Sequence, residues 1–87
     1  MEVRSPEDLY LLVEDLIIRL ERDGETRLSA ILDHRMHKVA WTSASELREE
    51  LKRVLRNEMA SVEKLKLQTG AVMRQVSEAI DGLLEAN

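Results

Sequence analysis

The chain has 87 residues and a formal net charge of −4 at pH 7, and it contains no cysteine. This length limits it to one domain, because so short a chain buries only about 60–65% of the surface that its unfolded form exposes. The missing cysteines exclude a disulfide-stapled fold, a thiolate metal site and a cysteine nucleophile.

The apolar residues make up 44% of the chain and are almost all Leu, Ile, Val, Ala and Met, with one Tyr, one Trp and no Phe. Together with 34% charged residues and only three Gly and one Pro, this composition favours helix. No apolar run is long enough to span a bilayer, and the opening MEVRSPEDLY lacks the basic start and apolar core of a signal peptide. We therefore predict an all-α, cytoplasmic protein without a membrane partner.

The first helix is predicted from Pro6 to about Arg22. Ser5 is a favourable N-cap, and proline suits the first helical position. Apolar residues follow at three- and four-residue spacing: Leu9, Leu12, Val13, Leu16, Ile17 and Leu20. Gly24 can end this helix in the left-handed conformation, and the same period resumes over about residues 25–38. Two helices joined by so short a connection are expected to form an antiparallel hairpin.

A third helix is predicted to begin at about residue 44. Ser43 and Glu46 match the S-x-x-E capping box, in which each residue satisfies a backbone amide at the helix start. The apolar stripe of this helix then extends toward the carboxyl end of the chain, but Lys66 and Thr69 occupy two of its positions. The third helix therefore either continues through this point or breaks there.

An unbroken helix over residues 44–85 would be about 60 Å long, against about 25 Å for the first helix. Its far half would expose apolar side chains, each worth about 1.5–3 kcal/mol when buried, unless a second copy of the chain covered them. Alternatively, the helix breaks at residues 69–70, and the last residues fold back to complete a four-helix bundle. Gly70 permits both solutions, since glycine costs only about 1 kcal/mol inside a helix. We favour the hairpin with a long third helix.

The long third helix predicts a homodimer that forms through the C-terminal part of the chain. The predicted contact residues are Met59, Val62, Met73, Val76, Ile80 and Leu83. Another protein could use Trp41, with Tyr10, as an anchor, because interface energy concentrates on large aromatic side chains. The competing interpretation, which we favour, is that Trp41 plugs the end of the helical core.

The residues that could support chemistry do not form a recognisable motif. His34 and His37 are three apart and could share a metal ion with Asp33, but a catalytic zinc site needs three rigidly held ligands, and no H-E-x-x-H pattern is present. A catalytic carboxylate needs a concave, partly dry pocket, for which a small aliphatic protein has little room. We predict no catalytic, cofactor or metal site, and hence a non-enzymatic protein-interaction module.

A row of cations on the third helix supports an alternative function. Arg48, Lys52 and Arg56 are spaced four residues apart and could follow a phosphate backbone, as in a nucleic-acid-binding regulator. However, acidic residues such as Glu49 and Glu50 alternate with them, and the chain has no basic excess to supply counterion release. A solvated face of mixed charge is the interpretation we favour.

One short segment resembles a known group of sequences. The run HKVAWTSASEL, His37 to Leu47, is similar to a segment of short, uncharacterised bacterial helical proteins. The resemblance covers eleven residues and implies a corner between two helices and a bacterial, cytoplasmic origin. It implies no activity and assigns no functional residue.

Overall fold

The computed structural model describes residues 3–58 and 64–85, and the regular structure in these two ranges consists of helices without strands. Four α-helices follow one another along the chain: α1 (Pro6–Arg22), α2 (Thr26–His37), α3 (Ala44–Glu58) and α4 (Leu67–Glu85). The prediction of an all-α fold is confirmed.

The two ends of α1 are fixed by local hydrogen bonds. At its start, the Ser5 hydroxyl accepts a hydrogen bond from the Asp8 amide at 3.3 Å. At its end, Gly24 adopts a φ of 87°, and its amide donates to the Glu21 carbonyl, while the Glu25 amide donates to the Leu20 carbonyl. This pair of bonds is the Schellman motif, which satisfies carbonyls that the end of a helix leaves unpaired. The tight turn brings α2 back along α1.

The four helices enclose one aliphatic core. α1 packs against α2 and α4, and α3 also packs against α2 and α4. All six apolar residues on the predicted inner face of α1 are buried in this core. Ser29 is buried between α1 and α2, and its hydroxyl donates to the Ile17 carbonyl at 3.0 Å. A small side chain at this point lets the two helices approach closely.

The C-terminal part of the chain differs from the favoured prediction of one helix over residues 44–85. α3 ends at Glu58 and α4 begins at Leu67, while residues 64–66 lie outside any α-helix. Gly70 lies inside α4, and its amide donates to the Lys66 carbonyl at 2.9 Å. Within the described ranges, the third helix therefore stops well before residues 69–70, the position at which we expected any break.

The polar residues that interrupt the apolar stripe have a structural partner at the end of α1. The Thr69 hydroxyl donates to an Asp23 carboxylate oxygen at 2.5 Å, and the Lys66 ammonium lies 3.6 Å from the other oxygen. Thr69 is buried at this contact. The two interruptions in the stripe thus place the start of α4 against the end of α1, so that α4 runs antiparallel to α1 beside it.

We expect two glycine substitutions to change stability in opposite directions. Gly24→Ala should lower the free energy of unfolding by about 1–2 kcal/mol, because a Cβ atom is strained at this positive φ. Gly82→Ala should raise it by about 0.5–1 kcal/mol, because this position lies within α4 and a Cβ atom would meet nothing within 4 Å. Urea unfolding measures both. If Gly82→Ala also lowered the stability, Gly82 would not lie inside α4 as described.

A second pair of substitutions tests whether α4 is covered by its own chain. Ile80→Ala should lower the free energy of unfolding by about 2–5 kcal/mol, because Ile80 is fully buried. Leu67→Ala should change it by less than about 0.5 kcal/mol, because Leu67 is 85% exposed. At protein concentrations below about 10 μM, the unfolding midpoint should not depend on protein concentration. A midpoint that rises with concentration would show that a second copy contributes to the stability of the fold.

Candidate protein-interaction surface

The residues predicted to form a homodimer through the C-terminal helix lie mainly in the core of the chain. Met73, Val76 and Ile80 are fully buried, and Leu83 is partly buried against the same core. Met59 and Val62 lie outside the described residues. Because α4 occupies the space beside α1 and α3, its apolar face is covered by its own chain and is not presented to a second copy in this conformation.

The two predicted aromatic anchors, Trp41 and Tyr10, are both half-buried against the core. The indole N–H of Trp41 donates to the Arg35 carbonyl at 2.7 Å, in the last turn of α2. This bond fixes the connection between α2 and α3. Trp41 nevertheless also lines a surface depression of about 930 Å³ along α3. Trp41 is therefore packed against the core and also forms part of the surface, and its role as a partner anchor stays a prediction.

Two adjacent depressions lie on the surface beside α3, and together we call them the α2–α3 groove. The larger is the depression beside Trp41; the smaller, of about 200 Å³, lies between α2 and α3, and the two share Arg53 and Asn57. The apolar lining of the smaller depression consists of half-buried Ile31 and buried Val54. Trp41 lines the larger depression.

Ion pairs form the sides of this groove. Arg27 on α2 lies 2.6 Å from Glu58 on α3, and Arg35 lies 3.5 Å from Glu50. Arg53 also hydrogen-bonds Glu50. The smaller depression is lined by three arginines and one glutamate. Glu50, which pairs with Arg35 and Arg53, lines the larger depression together with two further glutamates. The excess of positive charge is therefore confined to the smaller depression.

The electrostatics of Glu50 reflect these arginines. The hydrogen bond from Arg53 holds the pKa of Glu50 below its ordinary value, and Arg35 acts in the same direction, while burial opposes both. The pKa of Arg53 is raised by the same hydrogen bond. A carboxylate with a lowered pKa stays ionised at neutral pH and does not act as a general acid there. These groups therefore form an ion-pair network.

The two histidines face different partners. His37 Nε2 contacts a carboxylate oxygen of Glu14 and lies 3.9 Å from Asp33, whereas the His34 ring contacts Arg35. Across residues 3–58 and 64–85, no three His, Asp or Glu side chains are grouped so that they could hold a metal ion. The histidine pair singled out in the sequence does not converge on one point.

The cationic row of α3 is divided by the fold. Arg48 is only 6% exposed, and its Nε has no hydrogen-bond partner in the described part of the chain. The Lys52 ammonium lies 3.0 Å from an Asp81 carboxylate oxygen on α4, and Arg56 is exposed. The three cations therefore do not share one solvent-facing row. Their four-residue spacing gave no sign that Arg48 is buried, because long charged side chains can cover apolar surface with their stems.

None of the helices within the described ranges is long and apolar enough to cross a membrane. No protein-family model, curated protein or solved structure matches the chain. The resemblance of the segment His37 to Leu47 thus stays a prediction, and the functional argument rests on the surface itself.

The arginine contacts of Glu50 should make part of the stability depend on pH. Because the pKa of Glu50 is lowered in the folded state, its contribution is present above the ordinary value of 4.5 and is lost as the pH falls through the lowered pKa. We expect Glu50→Gln to lower the melting temperature at pH 7, and this difference from the wild type to shrink below pH 4.5. Thermal unfolding across this range measures it. An equal difference at all pH values would contradict the assignment.

Proposed function

We propose that this protein is a non-enzymatic interaction module that binds a helical segment of another polypeptide in the α2–α3 groove. The single observation that carries the proposal is the position of two adjacent depressions, one with an apolar lining among arginines and the other lined by Trp41. We further propose that the binding form in solution is a four-helix bundle formed by one chain. In that form, the homodimer predicted through α4 would require α4 to leave α1 and α3.

The chemistry of the groove favours an amphipathic helix with acidic residues beside its apolar stripe. Such helices bind by laying apolar side chains into a groove between two helices of the receptor. Ile31 and Val54 would contact that stripe. The arginines would pair with carboxylates, for which the planar guanidinium is well suited because it donates two parallel hydrogen bonds. Trp41 would act as the aromatic anchor at one end of the groove.

The ion pairs across the groove make this surface adaptable. Arg27 is largely exposed in its contact with Glu58, and exposed ion pairs contribute little to the stability of the fold. A carboxylate on the incoming helix could therefore replace Glu58 as the partner of Arg27 at small cost. Rim charges of this kind mainly determine which partner is chosen and how fast it associates.

Two synthetic amphipathic peptides test the proposal. One has a leucine stripe flanked by glutamates, and the other has lysines in place of the glutamates. We expect the acidic peptide to bind about tenfold more tightly or better, because it matches the arginines of the groove. Trp41 is the only tryptophan in the chain, so its fluorescence reports on binding at the groove. Equal affinity for the two peptides would contradict the proposal.

Variants locate the binding surface and separate the proposal from the alternative function. Ile31→Glu should weaken binding of the acidic peptide about tenfold or more, because it places a like charge on the groove floor. Leu67→Glu, at an exposed apolar residue on α4, is the matched control and should bind normally. A random DNA duplex is the polyanion control. Binding to it with a steep salt dependence would instead support a nucleic-acid-binding regulator.

A further inference from the structure

Two apolar side chains on the outer side of α1 remain uncovered. Leu11 is 59% exposed and Ile18 is 55% exposed, whereas the other Leu, Ile and Val residues of α1 are buried. Leu11 and Ile18 are seven residues apart, so they lie on one line along the helix, two turns from each other. Single exposed apolar residues are common and need no explanation. Here, however, the charges around the pair form a pattern.

Opposite charges flank this pair at equal spacing. Glu7 precedes Leu11 by four residues, and Arg22 follows Ile18 by four residues. Both charged side chains are exposed. We call these four residues the α1 outer stripe. The apolar pair and the charged pair have the same midpoint, between Glu14 and Asp15. A stripe with this symmetry is complementary to a second copy of itself that runs in the opposite direction.

We infer that the α1 outer stripe is a self-association surface, covered by the same stripe of a second copy of the chain around a two-fold axis. In this contact, Leu11 packs on the partner subunit's Ile18, and Ile18 packs on the partner subunit's Leu11. Glu7 pairs with the partner subunit's Arg22 at each end. Two-fold dimers of identical chains are the commonest symmetric assemblies, and each uses one self-complementary patch.

The acidic residues at the centre of the stripe do not prevent this contact. Glu14 contacts His37 Nε2 on α2, and the Asp15 carboxylate accepts a hydrogen bond from the Arg19 Nε at 2.9 Å. Each carboxylate therefore already has a partner within its own chain, on opposite sides of the apolar line. The contact area is small, with two large apolar side chains from each copy, so the dimer is weak and forms at high protein concentration.

This dimer is independent of the proposed groove function and compatible with it. The residues that line the α2–α3 groove come from α2, α3 and the connection between them, not from α1. Both grooves of a dimer joined through α1 thus stay open. Two identical sites in one particle bind a partner with repeated segments more tightly than one site does, because the second contact forms at a high effective concentration.

Solution mass as a function of concentration tests the inference. For the wild type, the weight-average mass from sedimentation equilibrium should rise from that of one chain toward that of two between about 10 μM and about 1 mM. Leu11→Arg and Ile18→Arg should stay monomeric over this range and remain folded by circular dichroism, since both positions are exposed. Leu67→Arg, a change of the same kind on α4, is the matched control and should dimerise like the wild type.

Charge reversal tests the antiparallel arrangement itself. Glu7→Arg alone places two arginines at each end of the contact, and Arg22→Glu alone places two glutamates there, so each variant should be monomeric. Mixed in equal amounts, the two variants should form a heterodimer, because every end then pairs one arginine with one glutamate. Thermal unfolding of each variant verifies that it is folded. If a variant at Leu11 or Ile18 fails to fold, this mixing experiment tests the same contact.

A wild-type mass that stays at one chain up to about 1 mM would overturn the inference. So would a dimer that survives Leu11→Arg, or a mixture of the two charge variants that stays monomeric. Ile31→Glu, which changes the groove, should not affect the mass. Loss of dimerisation in that variant would place the contact at the groove and also overturn the inference. Failure of peptide binding with an intact dimer would count against the groove function alone.

Discussion

The apolar face of α4 needs an aliphatic surface to cover it, and α1 and α3 supply that surface within the same chain. The rest of the structure depends on this contact, because it buries Met73, Val76 and Ile80. It is fixed at one end by the hydrogen bond from Thr69 to Asp23 and, further along, by the ion pair of Lys52 with Asp81. Because these two polar contacts are directional, they fix the position of α4 along α1 and α3, which aliphatic packing alone leaves loosely defined.

With α4 in place, the apolar core is covered within residues 3–58 and 64–85, so a partner would have to bind on the outside. The two surfaces that we propose for this differ in character. The α2–α3 groove combines apolar floor residues with an arginine-rich margin, whereas the α1 outer stripe is a convex line with Leu11 and Ile18 at its middle. A groove suits an inserted helix, and a convex stripe suits another helix lying against it. The two proposals thus rest on different residues.

The charge distribution also follows from the packing. The charged side chains of α3 make contacts that depend on the helix they face. Glu50 and Glu58 pair with arginines of α2, and Lys52 pairs with Asp81 of α4. Arg48 is largely buried. The sequence showed only an alternation of charges along one helix. The burial of Arg48 removes it from the predicted cationic row, whereas Lys52 and Arg56 line the same surface depression.

The sequence by itself determined the helical class and the local signals at helix ends, since these depend on residues close together in the chain. Ser5 at the start of α1 and Gly24 at its end act through bonds that span a few residues. The place where the third helix stops could not be predicted in this way. Lys66 and Thr69 visibly interrupt the apolar stripe in the sequence. Their structural role depends on contacts with Asp23, which is forty-six residues from Thr69 in the chain. The helical spacing of α1 already identified the six apolar residues that it buries, because they share one face of a single helix. Which surface covers the apolar face of α4 was decided only by the tertiary structure, because contacts between helices are specified by no local pattern.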